Sequence, residues 1–107
     1  MINEENNSTI WYCTVRKSKA NEVQQKGLRC FSEPVMVNVT WRVPWAVTVR
    51  TRPSVVKETD EEGVIFEVDL RDIKDEDTAW VFQKKALRIF KDIPAHCVRM
   101  YKKGGSI

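Results

Sequence analysis

Between Val35 and Pro53 apolar and polar residues alternate almost without interruption. Val35, Val37, Val39, Trp41, Val43, Trp45, Val47 and Val49 take the odd positions, with Asn38, Thr40, Arg42, Thr48, Arg50 and Arg52 between them. A period of two sends successive side chains to opposite faces of a strand, so this ribbon predicts a Val/Trp face toward a core and a Thr/Arg face away from it. Strands usually run about five or six residues. This run is far longer, and Pro44, which has no N–H for a ladder, sits in its middle. Two backbones satisfy the pattern. A hairpin turning on Val43-Pro44-Trp45 sets Trp41 opposite Val47 and Val39 opposite Val49, which keeps the faces matched. Such a turn ordinarily wants a residue of positive φ, and none of the three is glycine. A long edge strand bent by a bulge at Pro44 fits as well and is narrowly preferred.

The remaining pattern supplies the other elements. Thr9 to Lys17, TIWYCTVRK, is rich in aromatic and β-branched residues and predicts an interior strand, with Trp11, Cys13 and Val15 on one face and Ile10, Tyr12 and Thr14 on the other. A short helix is expected over about 18–26, with Ser18 as its N-cap and Gly27 ending it. Leu28 to Pro34 is a short strand or connector. In VIFEVDLRDI, Val64, Phe66, Val68 and Leu70 point inward while Glu67, Asp69 and Arg71 point outward. Pairing this strand with the ribbon would set Glu67 and Asp69 beside Arg50 and Arg52. A long helix is predicted over about 77–92. Ala79, Phe82, Ala86, Ile89, Phe90 and Ile93 share a face at helical spacing, widened by Trp80 and Leu87. Acids at Asp75, Glu76 and Asp77, bases at Lys84, Lys85, Arg88 and Lys91, and a stop at Pro94 suit the helix dipole and its end. Ala95 to Tyr101 closes the chain as a short strand.

Together these predict a single small α+β domain: a mainly antiparallel sheet of four to six strands, the long helix packed on one face, and the short helix near 18–26. The 107 residues suffice for one core. The domain spans 9–101, between a flexible N-terminus (1–8) and a flexible tail (102–107). No apolar run approaches the roughly 20 residues that cross a bilayer, and MINEENNSTI is no secretory signal. The expectation is an intracellular, cytoplasmic protein. Cys13, Cys30 and Cys97, an odd number without CxxC spacing, read as reduced thiols.

Charge changes this picture. The net +3 conceals an acidic block, Glu58 to Asp77, with ten acids against two bases; the rest of the chain holds sixteen bases against five acids. Solvated faces explain much of such clustering, and a partner with a charged surface is the sharper explanation.

Candidate chemistry is sparse. His96, the single histidine, adjoins Cys97, but neighbours on a strand point to opposite faces and cannot make a nucleophile–base dyad. Scattered cysteines lack the paired spacing of a zinc site. The four glycines form no phosphate-binding loop. No catalytic residue, metal or cofactor is expected, and the chain is read as a non-enzyme.

The opening IWY, the ANEVQQKG helix, and the later GVIFEV strand followed by a Trp-bearing helix resemble, in order, the N-terminal domain of NusG-type transcription-elongation factors. The resemblance lies in element order and a few aromatic positions, and the Pro44 ribbon departs from it. It implies a transcription-associated alternative. On the residues themselves, Arg42, Arg50 and Arg52 on the ribbon face, near Trp11, Tyr12, Trp41 and Trp45, could serve a nucleic acid. Trp41, Trp45 and Trp80 are nevertheless expected in the core. The leading expectation is a small binding or regulatory protein of adaptor or inhibitor type, acting on a protein partner. Its surface is assigned to Arg42, Arg50 and Arg52, with Lys84, Lys85, Arg88 and Lys91 as second choice.

Overall fold

A computed structural model of the chain describes residues 1–30, 34–41 and 63–101. The expected bend or hairpin at Pro44, the positions of Arg42, Arg50, Arg52 and Trp45, and the tail 102–107 lie outside the described residues.

The fold is α+β, built on one six-stranded antiparallel sheet. In chain order the elements are β1 (Ile10–Arg16), a 3-10 turn (Lys17–Lys19) running into α1 (Ala20–Lys26), β2 (Val35–Asn38), β3 (Gly63–Asp69), a 3-10 turn (Asp75–Asp77), β4 (Thr78–Val81), β5 (Ala86–Ile89), a 3-10 turn (Ala95–Cys97) and β6 (Val98–Met100). Across the sheet the order is β4-β5-β2-β1-β3-β6. One row of opposed residues crosses all six strands: Val81, Ala86, Asn38, Tyr12, Glu67 and Arg99. The opposite face carries Trp11, Cys13, Val37, Phe66, Val68, Leu87 and Ile89, all buried, and this is the core face. Ala20 and Val23 of α1, with Leu28, Leu70 and Ile93, complete the same apolar cluster.

β1 and β3 follow their alternation closely. Their seven paired positions run from Ile10 with Asp69 to Arg16 with Gly63. Phe66, Val68 and Leu70 are fully buried, as the pattern predicts. The neighbours of β3 differ from the expectation. Among the described residues it lies between β1 and β6, and Glu67 meets Arg99 while Asp69 meets Arg71. The expected approach of Arg50 and Arg52 to these acids lies outside the described residues.

The short helix forms where expected. Its N-terminus runs in from the 3-10 turn without a side-chain cap, and Gly27 ends it at φ 78° with its N–H on the Val23 carbonyl at 2.8 Å. A Cβ at Gly27 would lie 2.1 Å from the Ile93 carbonyl oxygen, a clash no side chain relieves. That close approach lets Leu28 and Ile93 exchange two backbone hydrogen bonds, at 2.9 and 2.8 Å.

The long helix predicted over 77–92 does not form. That segment is the β4–β5 hairpin, and Trp80 and Leu87, taken as neighbours on a helix face, are directly opposed across it. Phe82, Gln83 and Lys84 make the turn at φ 51°, 56° and 65°. Left-handed backbone costs a non-glycine residue roughly 1–2 kcal/mol. Burial of Leu87 and Ile89 contributes about 1.5–3 kcal/mol each, and each ladder hydrogen bond about 0.5–1.5 kcal/mol. The sheet therefore outweighs the turn. With no α-helix after β3 among the described residues, the Trp-bearing helix on which the likeness to the NusG-type domain partly rests is a hairpin.

Within residues 1–8, Met1 and Asn3 hydrogen-bond to the sheet and to the residues that follow β2 and β3. Asn3 is fully buried, and its Nδ2 donates to the carbonyls of Ile10 and Val39, each at 2.9 Å. Its main chain pairs with Ser8.

Candidate functional site

Among the described residues β4 is an edge strand, paired on one side by β5. Its middle residues, Ala79 and Trp80, are exposed, so the strand is uncovered on both faces of the sheet. The large apolar side chains left most open to solvent include Trp80 (45%), Phe82 (49%) and Phe90 (52%), and all three belong to this hairpin or its immediate end. The sequence pattern predicts Trp80 in the core, and the structure leaves it 45% exposed. It reaches the core only with part of its ring, which meets Trp11 at 5.6 Å between centroids. The signal in the sequence was the run Thr78-Ala79-Trp80-Val81-Phe82, whose β-branched and aromatic content favours a strand over a helix.

The hairpin rearranges the second-choice cations. Lys84 and Lys85 both sit in the turn, directly before the return strand Ala86–Ile89, so the two crown the hairpin tip. Arg88 points outward from β5, opposite Met36 and Ala79. Lys91 lies at the other end, where its ammonium meets Asp77 at 3.1 Å. Among the described residues, Lys84, Lys85 and Arg88 have no carboxylate partner. Lys84 and Lys85 thus form a cationic tip beside exposed aromatics, Arg88 is a flanking charge, and Lys91 holds the base of the hairpin.

A second aromatic group occupies the sheet face opposite the core. Tyr12 meets Tyr101 edge to face at 5.6 Å, and Trp41 stacks on Tyr101 at 5.8 Å. Trp41, also expected in the core, is half-buried on this other face, whereas Trp11 is in the core. The acids near this group are neutralised. Glu67 accepts from Arg99 at 2.6 Å, and Asp69 accepts from Arg71 at 2.6 Å and from the Thr9 hydroxyl at 2.7 Å. The Arg71 guanidinium, with the Thr9 hydroxyl and the Arg71 N–H, holds the Asp69 carboxyl down at about 2. A carboxylate so tied is a poor proton acceptor near neutrality.

His96 is exposed in the 3-10 turn before β6, and Cys97 follows it. Cys13 is buried under the sheet, which pushes its thiol up to about 12 and makes it unreactive as a nucleophile. Among the described residues no three His, Cys, Asp or Glu side chains gather as metal ligands. Nor is any described helix long and apolar enough to cross a membrane. The arrangement therefore offers surfaces for contact: an open strand edge, exposed rings and unpaired cations.

No protein-family model matches the chain, and a comparison with curated proteins finds no relative.

Proposed function

We propose that this chain is a small non-catalytic binding protein that engages a protein partner through the β4–β5 hairpin. The observation that carries the reading is the coincidence, on β4 and the turn that follows it, of a backbone edge with no partner strand among the described residues and of exposed Trp80 and Phe82. Edge strands normally carry devices against pairing. A large exposed ring on such an edge, with a second at its turn, favours contact, because Trp is prominent among the residues that dominate interface energies. Strand addition would give the partner main-chain hydrogen bonds, with the rings as anchors. An adaptor or inhibitor works in this way, by occupying a surface without changing it chemically.

The test is cross-linked capture from the source cell, comparing the wild-type chain with the double variant Trp80→Ser, Phe82→Ser. Both side chains are about half exposed and the backbone of the hairpin is unchanged, so circular dichroism of the variant should match wild type. A partner retained by wild type and lost by the variant supports the reading. Equal retention by both overturns it. Binding of unspecific RNA or DNA that collapses steeply as salt rises would instead transfer the function to nucleic acid and to the Tyr12, Trp41 and Tyr101 face.

A further inference from the structure

We infer that the partner for which the β4 edge is built is a second copy of this chain, with two β4 strands pairing antiparallel about a twofold axis at Trp80. The inference rests on the reading of β4 as the protein-binding edge and gives that edge an occupant.

Hydrogen-bond phase selects the centre. Phe90 donates its N–H to the Asp77 carbonyl at 2.9 Å. The register of β4 with β5 then makes Ala79 with Arg88, and Val81 with Ala86, the hydrogen-bonded pairs. The N–H and C=O of Thr78 and Trp80 therefore face the open edge. The Thr78 N–H is already given to the Asp75 carbonyl at the end of the preceding turn. Among the described residues, Trp80 is left as the residue of β4 with both main-chain groups available outward. In an antiparallel pair of identical strands, the residue on the twofold axis exchanges both bonds with its own copy. Trp80 meets that requirement.

Charge selects the same register independently. Glu76 and Lys84 lie four residues either side of Trp80, and Asp75 and Lys85 lie five either side. All four are exposed, and none has an ion-pair partner among the described residues. Antiparallel pairing centred on Trp80 brings the acidic turn of each copy beside the basic tip of the other, twice per dimer. A parallel pairing would set acid beside acid and base beside base. Lysines on an edge strand commonly act to repel other strands, and Lys84 and Lys85 alone would do so here. The acids at the opposite end convert that repulsion into a self-complementary pattern, as an isologous interface needs. Trp80 and Phe82 supply its apolar part. A four-residue strand makes a small contact, so the association belongs to the weak, micromolar class.

Sedimentation of the full chain from low to high micromolar concentration tests this. Wild type should pass from monomer to dimer. The tip variant Lys84→Glu/Lys85→Glu and the turn variant Asp75→Lys/Glu76→Lys should each associate more than about tenfold more weakly, because like charges then face one another. An equimolar mixture of the two, and the quadruple variant, should recover the dimer. Wild type that stays monomeric throughout overturns the inference. So does a mixture of folded variants that fails to recover. A monomer that still captures a different protein through Trp80 and Phe82 overturns self-pairing while leaving the proposed function standing, and failure of both tests removes both.

Discussion

Trp11 and Trp80 meet ring to ring, with centroids 5.6 Å apart and planes inclined at 48°, although β5 and β2 lie between their strands. Neighbouring strands stand about 4.8 Å apart, so a flat sheet would separate them by roughly 14 Å. The contact therefore requires the sheet to curl over its core face, bringing the edge strand back toward the central one.

The two tryptophans should respond unequally to truncation. Trp11 is fully buried at the centre of the core cluster, and its indole N–H donates to the Met1 carbonyl at 3.3 Å. Trp11→Ala should cost about 3–5 kcal/mol, a large part of the stability of a domain this size. Trp80→Ala removes a half-exposed ring and should cost about 1 kcal/mol. Denaturant unfolding at low protein concentration separates the two. Equal losses would mean that Trp80 supports the fold as much as Trp11 does.

Asn3 fills a different gap. β1 and β2 are registered through Tyr12 with Asn38, and beyond that pair the Ile10 and Val39 carbonyls both accept from the Asn3 side chain. Asn3→Ala removes the side-chain donor from the Val39 carbonyl, leaves the Ile10 carbonyl with the Asn6 side-chain amide alone, and should destabilise by about 1–3 kcal/mol. Asn3→Asp should be at least as harmful, since a carboxylate facing two carbonyls can donate to neither. Thermal unfolding of both variants checks this. An Asp variant as stable as wild type would show that the amide donors are dispensable.

These residues mark what the sequence made legible. Period-two alternation revealed β1 and β3 and the buried set Trp11, Phe66, Val68 and Leu70 because each strand presents one face to the core. Gly27 announced the end of α1 because its close approach to Ile93 tolerates no side chain. The β4–β5 hairpin was hidden by its turn. Phe82, Gln83 and Lys84 take left-handed backbone without a glycine or asparagine to signal it. Their neighbours happen to repeat at helical spacing as well. Lys84 and Lys85 were recognisable as exposed cations, but the open edge beside them is a property of sheet order, which depends on contacts between distant segments. Asn3 was hidden for a related reason: a polar residue in a polar stretch reads as solvent-facing until the strands around it are placed.

Asp69 should leave a signature on the acid limb of stability. Its carboxyl is held at about 2 by Arg71, helped by Thr9, below the ordinary carboxylate value. A carboxyl whose folded value is depressed adds stability above its unfolded value, and that contribution disappears as pH falls through the folded one. Asp69→Asn should therefore be less stable than wild type by about 1 kcal/mol near neutrality, small because Arg71 is exposed. The gap should close as pH falls from about 4 toward 2. Unfolding of both proteins across that range measures it, and a gap independent of pH would assign the loss to packing around Thr9.

Cys13 should react last of the three thiols. Cys30 and Cys97 are partly exposed, and all three cysteines are free. Burial and the nearby Asp69 and Asp72 raise the Cys97 thiol above its ordinary value, which slows it relative to a thiol without such neighbours. Cys13, on the core side of β1, is pushed from 9.0 up to about 12, so at a given mildly alkaline pH its thiolate is roughly a thousandfold scarcer. A soluble thiol reagent should modify Cys30 and Cys97 first, and should reach Cys13 only when the sheet opens. The Cys13 rate should then follow global unfolding as denaturant is added. Peptide mapping after timed quenching reads the order directly. Fast modification of Cys13 in native buffer would show that β1 opens locally, and would remove the rigid central strand on which both faces of the sheet depend.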